Sequence, residues 1–104
     1  MKTSTVEQHD VNELIACALA GEQVGFASLY EVFAPGVYRL CYSLLLNHHD
    51  AEDIAQETFV YAFKNLRRYD SKLSAFKTWL FTIAICRCRN VYRRGRPLLI
   101  ELTT

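Results

Sequence analysis

The sequence predicts an all-α fold: four amphipathic helices joined by short links into one compact domain, with the second helix kinked. Three observations carry this expectation. Apolar residues recur at three- and four-residue spacings, as in Ala51, Ala55, Phe59, Ala62 and Leu66, the period of a helix with one face on a core. Helix-start and helix-stop residues punctuate the pattern at short intervals. The chain has 104 residues and 51% hydrophobic content, enough for one modest core and too little for two.

The first helix is expected from Asp10 to Ala20. Asp10 and Glu13 stand in capping-box spacing, Val11, Leu14, Ile15 and Ala18 share a face, and Gly21 supplies the stop. A second helix is expected from about Gly25 to Leu46, with Phe26, Leu29, Tyr30, Phe33, Val37, Leu40, Cys41, Leu44 and Leu45 at helical spacing. Pro35 and Gly36 fall inside this run. Proline lacks an amide donor and crowds the preceding turn, so a kink or local break is expected near Ala34.

Asn47 to His49 make a short connection, and Asp50 to Leu66 the third helix. Asp50 is the expected cap, and Glu52 and Asp53 add negative charge where the free amides of a helix start favour it. The apolar stripe, with Ile54 and Phe63 beside it, leaves Asp53, Gln56, Glu57 and Lys64 on another side. Arg67 to Ser74, reading RRYDSKLS, is polar and poor in helix formers, so it reads as a loop in which Ser71 or Ser74 caps the next helix. That fourth helix is expected from Ala75 to Arg94, ended by Gly95 and Pro97. Its first half, FKTWLFTIAI, is apolar nearly all round, and its second, CRCRNVYRRGR, is dominated by arginine. Leu98 to Ile100 is too short to form a further element.

Charge is divided along the chain. Residues 1–63 hold two basic residues against nine acidic ones, whereas residues 64–96 hold ten basic residues against Asp70 alone. Such asymmetry points to a polyanion partner for one end and a different partner for the other. No apolar run approaches the roughly 20 residues of a membrane span, and the polar start MKTSTVEQHD lacks a secretory signal's apolar segment, so a cytoplasmic protein is expected.

Enzymatic readings find little support, since there is no Gly-rich phosphate loop, no serine with a histidine and carboxylate set, and no glutamate-histidine metal helix. No cofactor is expected. Cys17, Cys41, Cys86 and Cys88 lie in helical patterns without CxxC spacing and read as reduced, packed thiols. Cys86 and Cys88 point about 200° apart on a helix and cannot chelate one metal together. His48 and His49, being adjacent, do not face each other either.

The arginine-rich end is the sharper signal. Arg89, Arg93 and Arg96 follow one flank of the fourth helix, and Arg87, Asn90 and Arg94 follow a neighbouring one, a pattern suited to phosphate contacts with an amide for a base edge. Tyr69, Phe76, Trp79, Phe81 and Tyr92 are aromatics on which unpaired bases can stack, although a packing face claims most of them. Tyr69, in the loop, is the best stacking candidate.

DAEDIAQETFVYAFKNL, a Tyr-Asp loop and AFKTWLFTIAICRCRNVYRR, in that order, closely resemble the region 2 domain of bacterial extracytoplasmic-function sigma factors, and the upstream LIACALAGEQVGFASLYEVFAPGVYRLCYSLL is similar to the start of that domain. The resemblance covers about residues 11–97. It implies residues 1–97 as region 2 and 98–104 as the start of a linker or tail.

It further implies a transcription initiation domain that docks on the clamp helices of the RNA polymerase β′ subunit through Asp53, Gln56 and Glu57, with Phe63 at the margin. The loop and the fourth helix would recognise and melt the promoter minus-ten element, holding a flipped base of the non-template strand. The matching positions are Tyr69, Asp70, Ser71, Lys72 and Ser74, then Lys77, Phe81, Cys86, Arg87, Arg89, Asn90 and Arg93. No covalent chemistry is implied.

Two departures stand out. Many members carry an asparagine after the Ile-Ala of this helix, where this chain has Ile85 and then Cys86, which cannot read a base edge as an amide can. Such factors also continue into a helix-turn-helix domain that reads the minus-thirty-five element, so an excised domain is expected, with a natural single-domain relative as the alternative. Rival readings are a docking module for an anti-sigma factor and a general single-stranded nucleic-acid-binding helical domain.

Overall fold

The computed structural model describes residues 8–93, and among these every regular element is helical. The elements are α1 (Gln8–Leu19), α2 (Gln23–Leu45), α3 (His48–Lys64), a 3-10 turn (Leu66–Arg68) and α4 (Phe76–Arg93). The all-α, four-helix expectation is met. The expected stop of α4 at Gly95 and Pro97, and the segment from Leu98 on, lie outside the described residues.

Helix α2 is the hub. It packs against α1, α3 and α4, while α3 and α4 also pack on each other. Along α2, Leu29, Val37, Cys41 and Leu45 are buried, as are Val11, Ile15 and Ala18 of α1 and Phe76, Leu80, Ala84, Cys88 and Val91 of α4. Each set follows the three- and four-residue spacing read in the sequence. Close packing of α1 on α2 depends on Gly25, because a Cβ there would stand 2.5 Å from the Ala18 amide nitrogen.

Several local expectations need correction. Helix α1 includes Gln8, so Asp10 sits within the first turn and not at the cap. Gly21 does end α1: at φ +90 it donates to Ala18 while Glu22 donates to Cys17, the paired bonds of a Schellman stop. Helix α2 runs unbroken through Pro35. Of the kink or local break expected near Ala34, the break does not form, because the buried residues on both sides of the proline belong to one packing stripe that a break would pull apart.

Helix α2 instead ends at Leu46, which adopts the left-handed conformation at φ 55. The cap of α3 is Asn47, whose side-chain oxygen accepts from the Asp50 amide at 3.0 Å, so Asp50 lies in the first turn. An asparagine side chain is as good a cap as an aspartate, and the earlier one prevails. Leu66, expected at the end of α3, opens the 3-10 turn and is buried. Thr58 is fully buried and donates to the Ile54 carbonyl at 2.7 Å, so its hydroxyl is satisfied within α3. Helix α4 begins at Phe76, leaving Ser71 and Ser74 in the loop.

All four cysteines are free. Cys41 and Cys88 are buried as expected, and hydrogen bonding to Cys88 together with burial pushes the Cys41 thiol upward. Cys86 is exposed and not packed. His48 stacks on Tyr42 at 4.9 Å between centroids, and its Nδ1 is hydrogen-bonded to the Tyr38 hydroxyl. Among the described residues no cluster of three metal-ligating side chains occurs, and no helix is long and apolar enough to cross a membrane.

Candidate protein and nucleic-acid interface

Helix α3 turns Asp53 and Gln56 fully outward, with Glu57 half-buried at the border of α4. The same side carries Val60, 54% exposed, Tyr61, 38% exposed, and Lys64. Together with Arg87 of α4 these residues line an open groove of about 540 Å³. Phe63 stands at the opposite border, half-buried and edge-on to Phe26 at 5.0 Å, so it closes the seam with α2.

Arg87 joins two sets of residues that the sequence assigns to different partners. Its Nη1 lies 3.3 Å from the Glu57 carboxylate, and its guanidinium lies 4.9 Å from the centroid of the Tyr61 ring. Tyr61 and Arg87 form a ridge, because both also line a second groove, again about 540 Å³, whose other walls include Ser74, Trp79, Cys86 and Asn90.

The loop before α4 is tied at both ends. The Tyr69 hydroxyl donates to the Ser74 carbonyl at 2.8 Å, and its ring packs edge-on to Phe76 and against Trp79, each at 5.4 Å. Tyr69 is therefore a half-buried strut of the loop and not the open stacking platform expected of it. Asp70 organises the tip: its side chain accepts from the Lys72 amide at 2.9 Å and its carbonyl from the Leu73 amide at 3.0 Å. Ser71 and Lys72 are exposed, and Leu73 is 82% exposed.

The residues expected to hold DNA are divided by α4. Lys77 and Cys86, nine residues apart, stand about 180° apart around a helix. Phe81 packs toward α2, where a Cβ on Gly36 would stand 3.1 Å from its ring, and the Lys77 ammonium lies 5.3 Å from the Phe81 ring centroid. Cys86, Arg87 and Asn90 lie on the flank toward α3, and Arg89 is exposed between the two. Ser74, Cys86, Arg87 and Asn90 are thus brought together, and Lys77 with Phe81 is not. The Arg93 side chain, like Arg94 and Arg96, lies outside the described residues.

A family model described as Sigma-70 region 2 matches residues 29–97. The chain belongs to the sigma-70 region 2 family. Three curated relatives carry the same relationship. ECF RNA polymerase sigma factor SigW of Bacillus subtilis (strain 168) is 39% identical over 77 residues, 74% of this chain and 41% of that protein. SigE of Mycolicibacterium smegmatis, also an ECF RNA polymerase sigma factor, is 40% identical over 84 residues, 78% of this chain and 32% of its own. BldN of Streptomyces coelicolor, named likewise, is 33% identical over 92 residues, 88% of this chain and 34% of that protein. This chain thus spans well under half the length of these relatives. Each of the three is named as an ECF RNA polymerase sigma factor.

Lys64 lies on the outer side of α3 as the sequence placed it, whereas Val60, Tyr61 and Leu73 were not singled out. Val60 and Tyr61 fall four residues after Gln56 and Glu57, on the same side of α3, so helical spacing could have found them. Leu73 carried no signal beyond an apolar residue in a polar loop.

Proposed function

We propose that this region 2 domain docks on the β′ clamp helices of RNA polymerase through the outer side of α3, and holds the melted non-template strand of the minus-ten element along the Tyr69–Ser74 loop and the adjoining flank of α4. The observation that carries the reading is adjacency: an outward polar and apolar α3 side meets, at the Tyr61 and Arg87 ridge, a groove walled by α4 and by Ser74 at the end of the loop. Both parts fall within the matched family region. The domain acts in the cytoplasm, with the chromosome, and does no covalent chemistry.

Magnitudes divide the work between the two partners. Opening duplex DNA costs about 1.4 kcal/mol per base-pair step. A base stacked on a side chain returns about 1–3 kcal/mol. One captured base therefore offsets only one or two open steps, and docking on polymerase must hold the rest of the bubble. The test is titration of the chain with a purified β′ clamp-helix fragment. Asp53→Lys and Glu57→Lys should each weaken binding by about tenfold or more, as expected for reversing a charge at a polar contact. Unchanged affinity in both would exclude the docking.

A second reading is favoured by the exposed Val60 and Tyr61, which give α3 an apolar strip between charges. An anti-sigma factor covering that strip would compete with the clamp fragment for the same side.

A further inference from the structure

We propose that Arg87 belongs to the protein-docking side of α3, where it positions the Glu57 carboxylate and the Tyr61 ring, and that it is not a phosphate contact. The inference deepens the proposed docking and rests on it.

The geometry carries the assignment. Arg87 projects from α4 across to α3, and its side chain is 28% exposed where Arg67, Arg68 and Arg89 are open to solvent. Its guanidinium meets the Glu57 carboxylate along one edge and the Tyr61 ring on one face. A planar, five-donor group can lie over a ring while donating from its edge, a geometry that a compact ammonium does not reproduce. A phosphate approaching Arg87 would meet the like charge of the Glu57 carboxylate beside it, while the exposed arginines offer the same charge directly to solvent.

The bridge itself is worth little to folding, since Glu57 is 44% exposed and solvent screens such a pair. Its value lies in order. A free glutamate loses substantial rotamer freedom on being held by a partner, and a glutamate already held has less to lose. The docking side consequently presents carboxylates at Asp53 and Glu57, a cation at Lys64, and apolar Val60 and Tyr61 between them, with Arg87 behind Glu57 as its support. The partner segment that fits is a helix with both signs of charge and an apolar strip, not a uniformly basic one.

The test is a double-mutant cycle read against two ligands, the β′ clamp-helix fragment and a single-stranded oligonucleotide. Arg87→Gln should weaken clamp binding by about threefold to tenfold, an effect in the range of preorganised surface contacts. In a Glu57→Gln background the same change should have almost no effect, and Arg87→Lys should restore only part of the loss. Oligonucleotide affinity should move less than about twofold in Arg87→Gln, whereas Arg89→Gln should weaken the oligonucleotide and spare the clamp. Thermal unfolding of each variant reports folding separately. If Asp53→Lys abolishes clamp binding while Arg87→Gln leaves it unchanged, tightens it, or acts additively with Glu57→Gln, the assignment of Arg87 is overturned and the docking stands. If the parent chain does not bind the clamp fragment, both fall together.

Discussion

Leu73 sits at the tip of a loop whose two ends are tied, with Lys72 before it and the Ser74 carbonyl bonded after it. A side chain this exposed adds nothing to the core and is a poor choice for a solvated turn. It can instead lie against an unpaired base, the role that Tyr69 cannot fill while its ring packs on Phe76 and Trp79. Leu73→Ala should lower single-stranded DNA affinity about fivefold, near 1 kcal/mol, toward the low end of contacts on a base face. Its melting temperature should stay unchanged, and anisotropy with parallel thermal unfolding checks both. Tyr69→Phe should behave in the opposite sense, because it removes the hydroxyl that anchors Ser74 while keeping the ring in place.

Among the helices, α1 and α2 approach closely at Gly25. The Cβ of an alanine would meet the Ala18 amide nitrogen at 2.5 Å and the Leu14 carbonyl at 2.9 Å, backbone atoms that cannot turn aside. Gly25→Ala should therefore destabilise the domain by about 1–3 kcal/mol, the cost of overpacking, although alanine is the better helix former. Chemical denaturation measures it. Helix propensity alone predicts the reverse sign, so the outcome separates packing from propensity. The helices themselves were legible in the sequence to within a few residues at each end. Boundaries shifted where two signals competed: Asn47 and Asp50 both cap well, and the proline signal at Pro35 yielded to the burial of Val37, Cys41 and Leu45 beyond it.

Across the molecule, the division of charge along the chain becomes a division in space with one crossing point. Arg67, Arg68, Lys72 and Arg89 remain exposed, while Arg87 turns to the acidic helix. Release of counterions by those four residues gives single-stranded binding a log–log salt slope of about −3, at roughly −0.7 per contact. Titrations between low and physiological salt check this, and a slope near zero would remove the loop and α4 from the DNA path. By itself the sequence determined the four helices, their buried faces, the charge division and the family, because apolar periodicity, capping chemistry and composition are all set by residues within a turn or two of each other. Only the tertiary structure decided that Arg87 meets Glu57 across 30 residues, that Tyr69 turns inward while Leu73 turns out, and that Lys77 and Phe81 face away from Cys86 and Asn90. Those facts depend on how closely and at what rotation α4 sits on α2 and α3, which is fixed by the packing of side chains far apart in the chain.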